Sequence, residues 1–193
     1  MRITGGRARG ITLQSPKTNA TRPATDYLRE ALYSSIGGTC AARTVVDLYA
    51  GSGAYGLEAL SRGASRVVFV ENDPRALKCL AANILKVCKS LKINDPEYQT
   101  RIIKKDVCQW LEQCSDQYEI VIADPPYAIL PRQGTKILEQ AFKILNIHQK
   151  SFFVLEAPGE FEIVDLPEGF KIKKRILRGP KQPSILIIEP ISP

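Results

Sequence analysis

The chain has little of what many enzymes use for proton transfer and metal binding. Among its 193 residues there is one histidine, His148, one tryptophan and one methionine. A zinc site has no ligand spacing to draw on, since the five cysteines (40, 79, 88, 108 and 114) contain no CxxC pair. An odd number of thiols, several within apolar-periodic stretches, predicts reduced cysteines in a cytoplasmic protein rather than a disulfide framework. No metal is expected. His148 follows Asn146 and Ile147 at the end of a helical pattern and is expected on the surface, without a catalytic duty. No apolar run reaches the ~18 residues of a membrane span, and the opening "MRITGGRARG" lacks the apolar core of a secretory signal. Repeats, low-complexity tracts and obvious linkers are absent too. Acids are outnumbered: the net charge is +7, a balance that favours nucleic acid or another polyanion as partner.

What is present suffices for one domain with a small appendage. Apolar residues make up 44%, enough for a sizeable core. Residues 1–25 hold the short β-like pieces "RIT" and "GITLQS" and predict a hairpin followed by an extended arm. Leu28, Ala31, Leu32 and Ile36 have helical spacing, with Thr25 or Asp26 as the cap and Gly37-Gly38 as the stop. From residue 44 strands and helices alternate. "TVVDLY", "RVVFVE", "RIIK", "YEIVIA" and "SFFVLEA" read as strands, and 54–62, 74–91, 107–113 and 133–146 as helices. That alternation implies βαβ units and a mostly parallel sheet. "FKIKKRILRG" and "SILIIEP" close the chain with no helix between them, so the sheet should carry an antiparallel hairpin. Five parallel strands and a closing hairpin are the layout of the Rossmann-like, seven-stranded methyltransferase sheet. The expected organisation is an N-terminal hairpin, arm and helix over residues 1–38, then one compact α/β unit over 39–193.

Three motifs carry chemistry. "DLYAGSGAYG" (47–56) places Gly51, Gly53 and Gly56 in GxGxxG spacing between a strand and a helix, where glycines permit a tight turn and close approach to a ligand. A tight strand-to-helix turn needs glycine even with no ligand. Glu71 closes the next strand and can accept both hydroxyls of a ribose. Asp47 separates two cofactor classes: an extra carboxylate repels a dinucleotide pyrophosphate but suits S-adenosylmethionine, which carries an ammonium and a sulfonium. Asp106, after the third strand, can accept from an adenine amine beside the Val107 backbone N–H, or cap the following helix, or do both.

"DPPY" (124–127) ends the fourth strand, near the switch point where open α/β sheets bind ligands. An exocyclic amine is a poor nucleophile because its lone pair is delocalised into the ring. The Asp124 carboxylate and the Pro125 carbonyl can accept its N–H bonds and fix its direction. The two prolines stiffen the turn, and the ring of Tyr127 can stack on a flipped base. Without a ligand the stretch is a strand, a stop and a turn. Two basic clusters complete the set. One holds Arg2, Arg7, Arg9, Lys17, Arg22 and Arg29 against the single acid Asp26; the other holds Lys171, Lys173, Lys174, Arg175, Arg178 and Lys181 with no acid. Each alone reads as a solvated face; around a base-modifying site they read as phosphate grips, with Arg7, Arg9, Arg22, Lys173, Lys174 and Arg178 as the nucleic-acid contacts.

Taken together, "RITGGRARG" (2–10), "RPATDYLREALYSSI" (22–36), "DLYAGSGAYGLEALSRGA" (47–64) and "DPPY" resemble the RsmD-type family of bacterial methyltransferases, which act on guanine N2 in 16S ribosomal RNA. The resemblance covers most of the chain, and the first two pieces are its specific part. It implies a class I methyltransferase fold, S-adenosylmethionine as cofactor, and small-subunit rRNA in an assembled or partly assembled particle as partner. It also implies an arm, Arg22 to Asp26, running over the cofactor and substrate sites. Ala24 stands where the family usually has a hydroxyl residue, and Tyr33 where it has Phe. The expected cofactor contacts are Asp47, Ala50, Gly51, Ser52, Gly53, Glu71, Asn72, Asp106 and Val107; the expected catalytic residues are Asp124, Pro125 and Tyr127. Competing readings are a DNA or protein-glutamine amino-methyltransferase, an NAD-dependent oxidoreductase and a non-catalytic RNA-binding protein. A cytoplasmic monomer is the default state.

Overall fold

A computed structural model describes residues 1–16, 26–38, 40–147, 151–163, 166–177, 179 and 182–191. Arg22, Thr25, His148, Arg178 and the expected arm therefore lie outside the described residues, apart from Asp26. Seven strands form one sheet in the order β3-β2-β1-β4-β5-β7-β6. These are β1 (Thr44–Leu48), β2 (Arg66–Glu71), β3 (Thr100–Lys104), β4 (Ile120–Ala123), β5 (Phe152–Pro158), β6 (Phe170–Ile176) and β7 (Pro183–Pro190). The first five are parallel; β7 runs antiparallel to both β5 and β6. The expected sheet and closing hairpin are both present. Because β2 and β3 extend the sheet to one side of β1 while β4 and β5 extend it to the other, the winding reverses between β1 and β4.

Among the described residues six α-helices cover the sheet: α1 (Asp26–Ser35), α2 (Ala54–Ser61), α3 (Pro74–Leu91), α4 (Pro96–Gln99), α5 (Val107–Gln113) and α6 (Leu130–Lys143). One buried cluster joins α1, α2 and α3 to Val45, Val67, Phe69, Ile120, Ile122 and Val154. The other joins α5 and α6 to Val46, Val68, Val121, Phe153 and Leu155. Alternate residues of each strand thus feed opposite faces, as a doubly covered sheet requires. The stops are local chemistry. Asp73 caps α3, accepting from the Arg75 and Ala76 amides at 2.8 and 3.0 Å, with Pro74 in the first turn. Among the described residues no helix is long and apolar enough to cross a membrane.

Several boundaries differ from the sequence expectation. The N-terminal hairpin is reduced to a single antiparallel bridge, Arg2 to Thr12. Its turn is used elsewhere: the buried Glu58 carboxylate of α2 accepts from the Thr4 amide and hydroxyl and from the Gly5 amide, all within 2.7–2.8 Å, and the Ser61 carbonyl accepts from Arg7 N–H. Ile3, Leu13, Leu28 and Leu32 share one core with β1 and α2. Asp26, in the first turn of α1, pairs with Arg29 at 2.7 Å, and Thr25, the other expected cap, lies outside the described residues. The last helix starts at Leu130 rather than 133, after a 3-10 turn over Tyr127–Ile129. Pro131 sits in its first turn, where its missing N–H costs nothing.

Candidate functional site

The carboxyl ends of β1, β2, β4 and β5 converge at the reversal of winding, and each ends in or beside a carboxylate. After β1 the chain turns through Tyr49 at φ 58°, a left-handed conformation rare for a non-glycine residue. The loop is pinned on three sides: Ala50 N–H donates to Val70 O at 3.1 Å and Gly53 N–H to Ala50 O at 2.7 Å. The Asn83 amide of α3 donates to Ser52 O at 2.9 Å. The same Asn83 pairs with the Gln14 backbone in both directions, which draws residue 14 up to the loop.

The three glycines differ in use. Gly51, at φ 55°, has nothing near its missing Cβ except Tyr49 O at 3.9 Å, so its face is open to a ligand. At Gly53 (φ 80°) an added Cβ would stand 2.4 Å from Leu80 Cδ1, and at Gly56 2.4 Å from Phe69 Cε1. Gly53, one of the expected cofactor contacts, also allows α2 to pack on α3 and the sheet.

The Asp47 side chain is buried and accepts from Gly56 N–H at 2.8 Å. Burial, with Glu71 nearby, raises its pKa to about 8 despite that hydrogen bond. Glu71 is also buried. Its Oε2 accepts from Gly51 N–H and its Oε1 from Asn72 and Asp73 N–H, each at 2.7 Å. The sequence reading has this carboxylate accept both hydroxyls of a ribose. Its oxygens already tie the glycine loop to the end of β2, and a ribose must share their remaining lone pairs. Asp106 caps α5, accepting from Gln109 N–H at 3.1 Å, with Val107 buried behind it; the capping alternative is realised.

At the end of β4, Asp124 N–H donates to Leu48 O at 3.3 Å, closing β4 onto β1. Pro125 is buried, Pro126 exposed, and the Tyr127 ring half-buried. Ala123 pairs with Leu155, which sets Asp124 beside Glu156 of β5. Glu156 is 3% exposed and accepts from the Tyr55 hydroxyl of α2 at 2.5 Å. Burial, then Glu156, then Asp47, push the Asp124 pKa well above the usual carboxylate range. Burial also raises that of Glu156, opposed by the Tyr55 hydroxyl, the Arg29 guanidinium and the Tyr127 hydroxyl. Three carboxylates, Asp47, Asp124 and Glu156, therefore share one end of one sheet face. Glu156 and Tyr55 went unrecognised in the sequence, although Glu156 ends an apolar strand just as Glu71 and Asp124 do.

The basic residues do not all surround this site. Arg7 donates to Leu91 O at 3.2 Å, at the carboxyl end of α3. A helix following a parallel strand ends at the amino edge of the sheet, so Arg7 lies at the edge opposite the carboxylates. There it lines a cleft of about 590 Å³ with Leu60, Gly63, Lys92 and Tyr98. Arg9 is exposed in the same turn. On edge strand β6, Lys173 pairs with Glu189 at 2.7 Å and lies 5.1 Å over the Phe152 ring. Lys174 reaches Ser35 of α1 at 3.0 Å.

The family model described as Conserved hypothetical protein 95 matches residues 1–185. Ribosomal RNA small subunit methyltransferase D of Escherichia coli K12 is 28% identical over 183 residues, 93% of this chain and 85% of that protein. The solved Escherichia coli protein yhhF superposes with a TM-score of 0.79 at 26% identity, over 98% of this chain and 97% of its own. SMU.776, solved in complex with S-adenosylhomocysteine, shares the fold at 14% identity with a TM-score of 0.68, over 88% of this chain and 50% of its own. The chain therefore belongs to the Conserved hypothetical protein 95 family, that of the RsmD-type methyltransferases.

Proposed function

We propose that this protein transfers a methyl group from S-adenosylmethionine to the exocyclic N2 amine of a guanine in 16S ribosomal RNA, within the small subunit or an assembly intermediate. The observation that carries the reading is the placement of Asp124-Pro125-Pro126-Tyr127 beside the Gly51 loop at the winding reversal, in a chain of this family.

The residues fit the cofactor. Gly51 leaves an open backbone face, and Glu71 stands at the end of β2 with lone pairs to share. The buried carboxylate of Asp47, with Asp124 at the end of β4, favours a ligand bearing positive charge and disfavours a pyrophosphate. When bound, the cofactor supplies an electrophilic methyl on a sulfonium. The protein's part is orientation: the Asp124 carboxylate and the Pro125 carbonyl accept the amine N–H bonds, and the Tyr127 ring holds the base in plane. Desolvation favours a protonated Asp124 in the free protein; a nearby sulfonium favours the carboxylate that the amine needs as acceptor.

Titration calorimetry with S-adenosylhomocysteine and with NAD tests the cofactor; binding of NAD alone would return the oxidoreductase reading. Radiolabelled transfer to undermethylated 30S particles, with nucleoside mass spectrometry, tests the substrate. N2-methylguanosine in 16S rRNA is the expected product. Label in adenine, cytosine or glutamine would overturn the assignment.

A further inference from the structure

Glu156 has no place among the residues that hold the cofactor or the amine, yet it is a nearly inaccessible carboxylate that touches both halves of the site. It follows Leu155, the register partner of Ala123, and so lies beside Asp124 on the neighbouring strand. Its Oε2 accepts from the hydroxyl of Tyr55, the second residue of α2, directly after the Gly51–Gly53 turn. Tyr55 is itself buried, and its carbonyl accepts from the Tyr33 hydroxyl of α1 at 2.7 Å. The Tyr127 hydroxyl also acts on Glu156, favouring its charged form. A buried charge is expensive unless it is compensated, and a lone polar residue at this depth needs a reason. An apolar residue in the same place would complete the β5 core with no such cost.

We infer that Glu156 is a positioning residue that braces the cofactor loop against the DPPY turn and so fixes the distance between the methyl donor and the amine. The inference rests on the methyltransferase reading of the same site. Tyr55 brings the start of α2 to one carboxylate oxygen, while strand pairing brings Asp124 alongside. The rigid sheet between them transmits no slack. Methyl transfer is an in-line displacement whose rate depends steeply on approach geometry, so an ångström of looseness costs up to about a hundredfold. The brace acts on the transfer step and leaves the binding of each substrate nearly untouched.

The test combines single-turnover methylation of 30S particles, S-adenosylhomocysteine calorimetry and amide spectra of the ¹⁵N-labelled protein. Glu156→Leu and Tyr55→Phe should each slow the transfer step about tenfold or more, with S-adenosylhomocysteine affinity within about twofold of wild type. Glu156→Gln retains an acceptor for the Tyr55 hydroxyl and should recover most of the rate. In the Tyr55→Phe background, Glu156→Leu should cost little more, since both remove one contact. The amide signals of Gly53 and Asp124 should shift together in either single variant. If Glu156→Leu does not fold, Tyr55→Phe, which deletes one oxygen atom, carries the test. Wild-type rates with unmoved amide signals would overturn the brace, as would fully additive losses or a loss confined to cofactor affinity. Wild-type protein that binds S-adenosylhomocysteine but leaves the particles unmethylated would sink the rRNA reading; coupled amide shifts would then still support the brace.

Discussion

Gly51 and Gly53 stand two residues apart with positive φ, and the same substitution should fail at each for a different reason. An alanine at either incurs the left-handed penalty of about 1–2 kcal/mol. At Gly53 it adds a methyl 2.4 Å from Leu80 Cδ1, inside the packing of α2 on α3. Gly53→Ala should therefore lower the melting temperature sharply. Gly51→Ala, with open space beside it, should fold and lose affinity for S-adenosylhomocysteine instead; thermal denaturation alongside calorimetry separates the two. Glu71 combines both kinds of loss. Glu71→Gln keeps the shape but presents an amide N–H₂ where one oxygen accepted a backbone N–H. Leaving such a donor unsatisfied costs about 1–3 kcal/mol, so this variant should weaken cofactor binding and lower stability together. An unchanged melting temperature would mean that the loop does not depend on Glu71.

At the scale of elements, the sequence shows direction along the chain but not which edge of a sheet a residue reaches. The five parallel strands were legible because apolar runs of four to six residues alternate with helices of 3.6 periodicity, and Asp73-Pro74 marks the start of α3. The four-residue α4 was missed because it is too short to show a period. The N-terminal hairpin is shorter than "RIT" and "GITLQS" suggest: one antiparallel bridge and a few backbone bonds join the two pieces, and Glu58 and Ser61 of α2 bond the turn between them. Glu156 was overlooked because a single acid at the end of "SFFVLEA" carries no motif around it. Arg7 reads as an RNA contact from its basic cluster, and the sequence does not show that it lies at the edge of the sheet opposite the carboxylates. The β6 lysines divide in a similar way. Lys173 is paired with Glu189, whereas among the described residues Lys174 reaches the neutral Ser35 hydroxyl and no acid. If β6 contacts phosphate, Lys174→Gln should reduce the slope of log affinity against log salt by about 0.7–0.9, and Lys173→Gln by less. Filter binding of 16S rRNA across salt concentrations reads both slopes, and equal slopes in wild type and Lys174→Gln would make this strand a solvated edge.

For the whole molecule, the buried carboxylates link stability, acidity and ligand charge. Asp47 has a folded-state pKa of about 8, against roughly 3.9 in an unfolded chain. Between those values the folded state holds a proton that the unfolded state has released. The stability of the free protein must therefore fall as pH rises through this window, by at most about 1.4 kcal/mol per pH unit for one proton, and level off above pH 8. Asp124 and Glu156 are shifted in the same direction and steepen the fall. Asp26, lowered by its bonds to Arg29 and Arg2, acts oppositely, and only below its unfolded value. A cation-bearing ligand beside Asp47 and Asp124 favours their ionised forms. S-adenosylmethionine should then bind with release of protons and more tightly at pH 8 than at pH 6. S-adenosylhomocysteine, with a neutral sulfur, should show a weaker dependence. Asp47→Asn retains an acceptor for Gly56 N–H and removes the titration, so it should flatten the melting temperature against pH in the free protein. It should also reduce the proton release measured by calorimetry in buffers of different ionisation enthalpy. A melting temperature that rises from pH 5 to pH 8 in the free wild-type protein would mean that these carboxylates are ionised without a ligand. The argument that a cationic cofactor supplies their counter-charge would then fail.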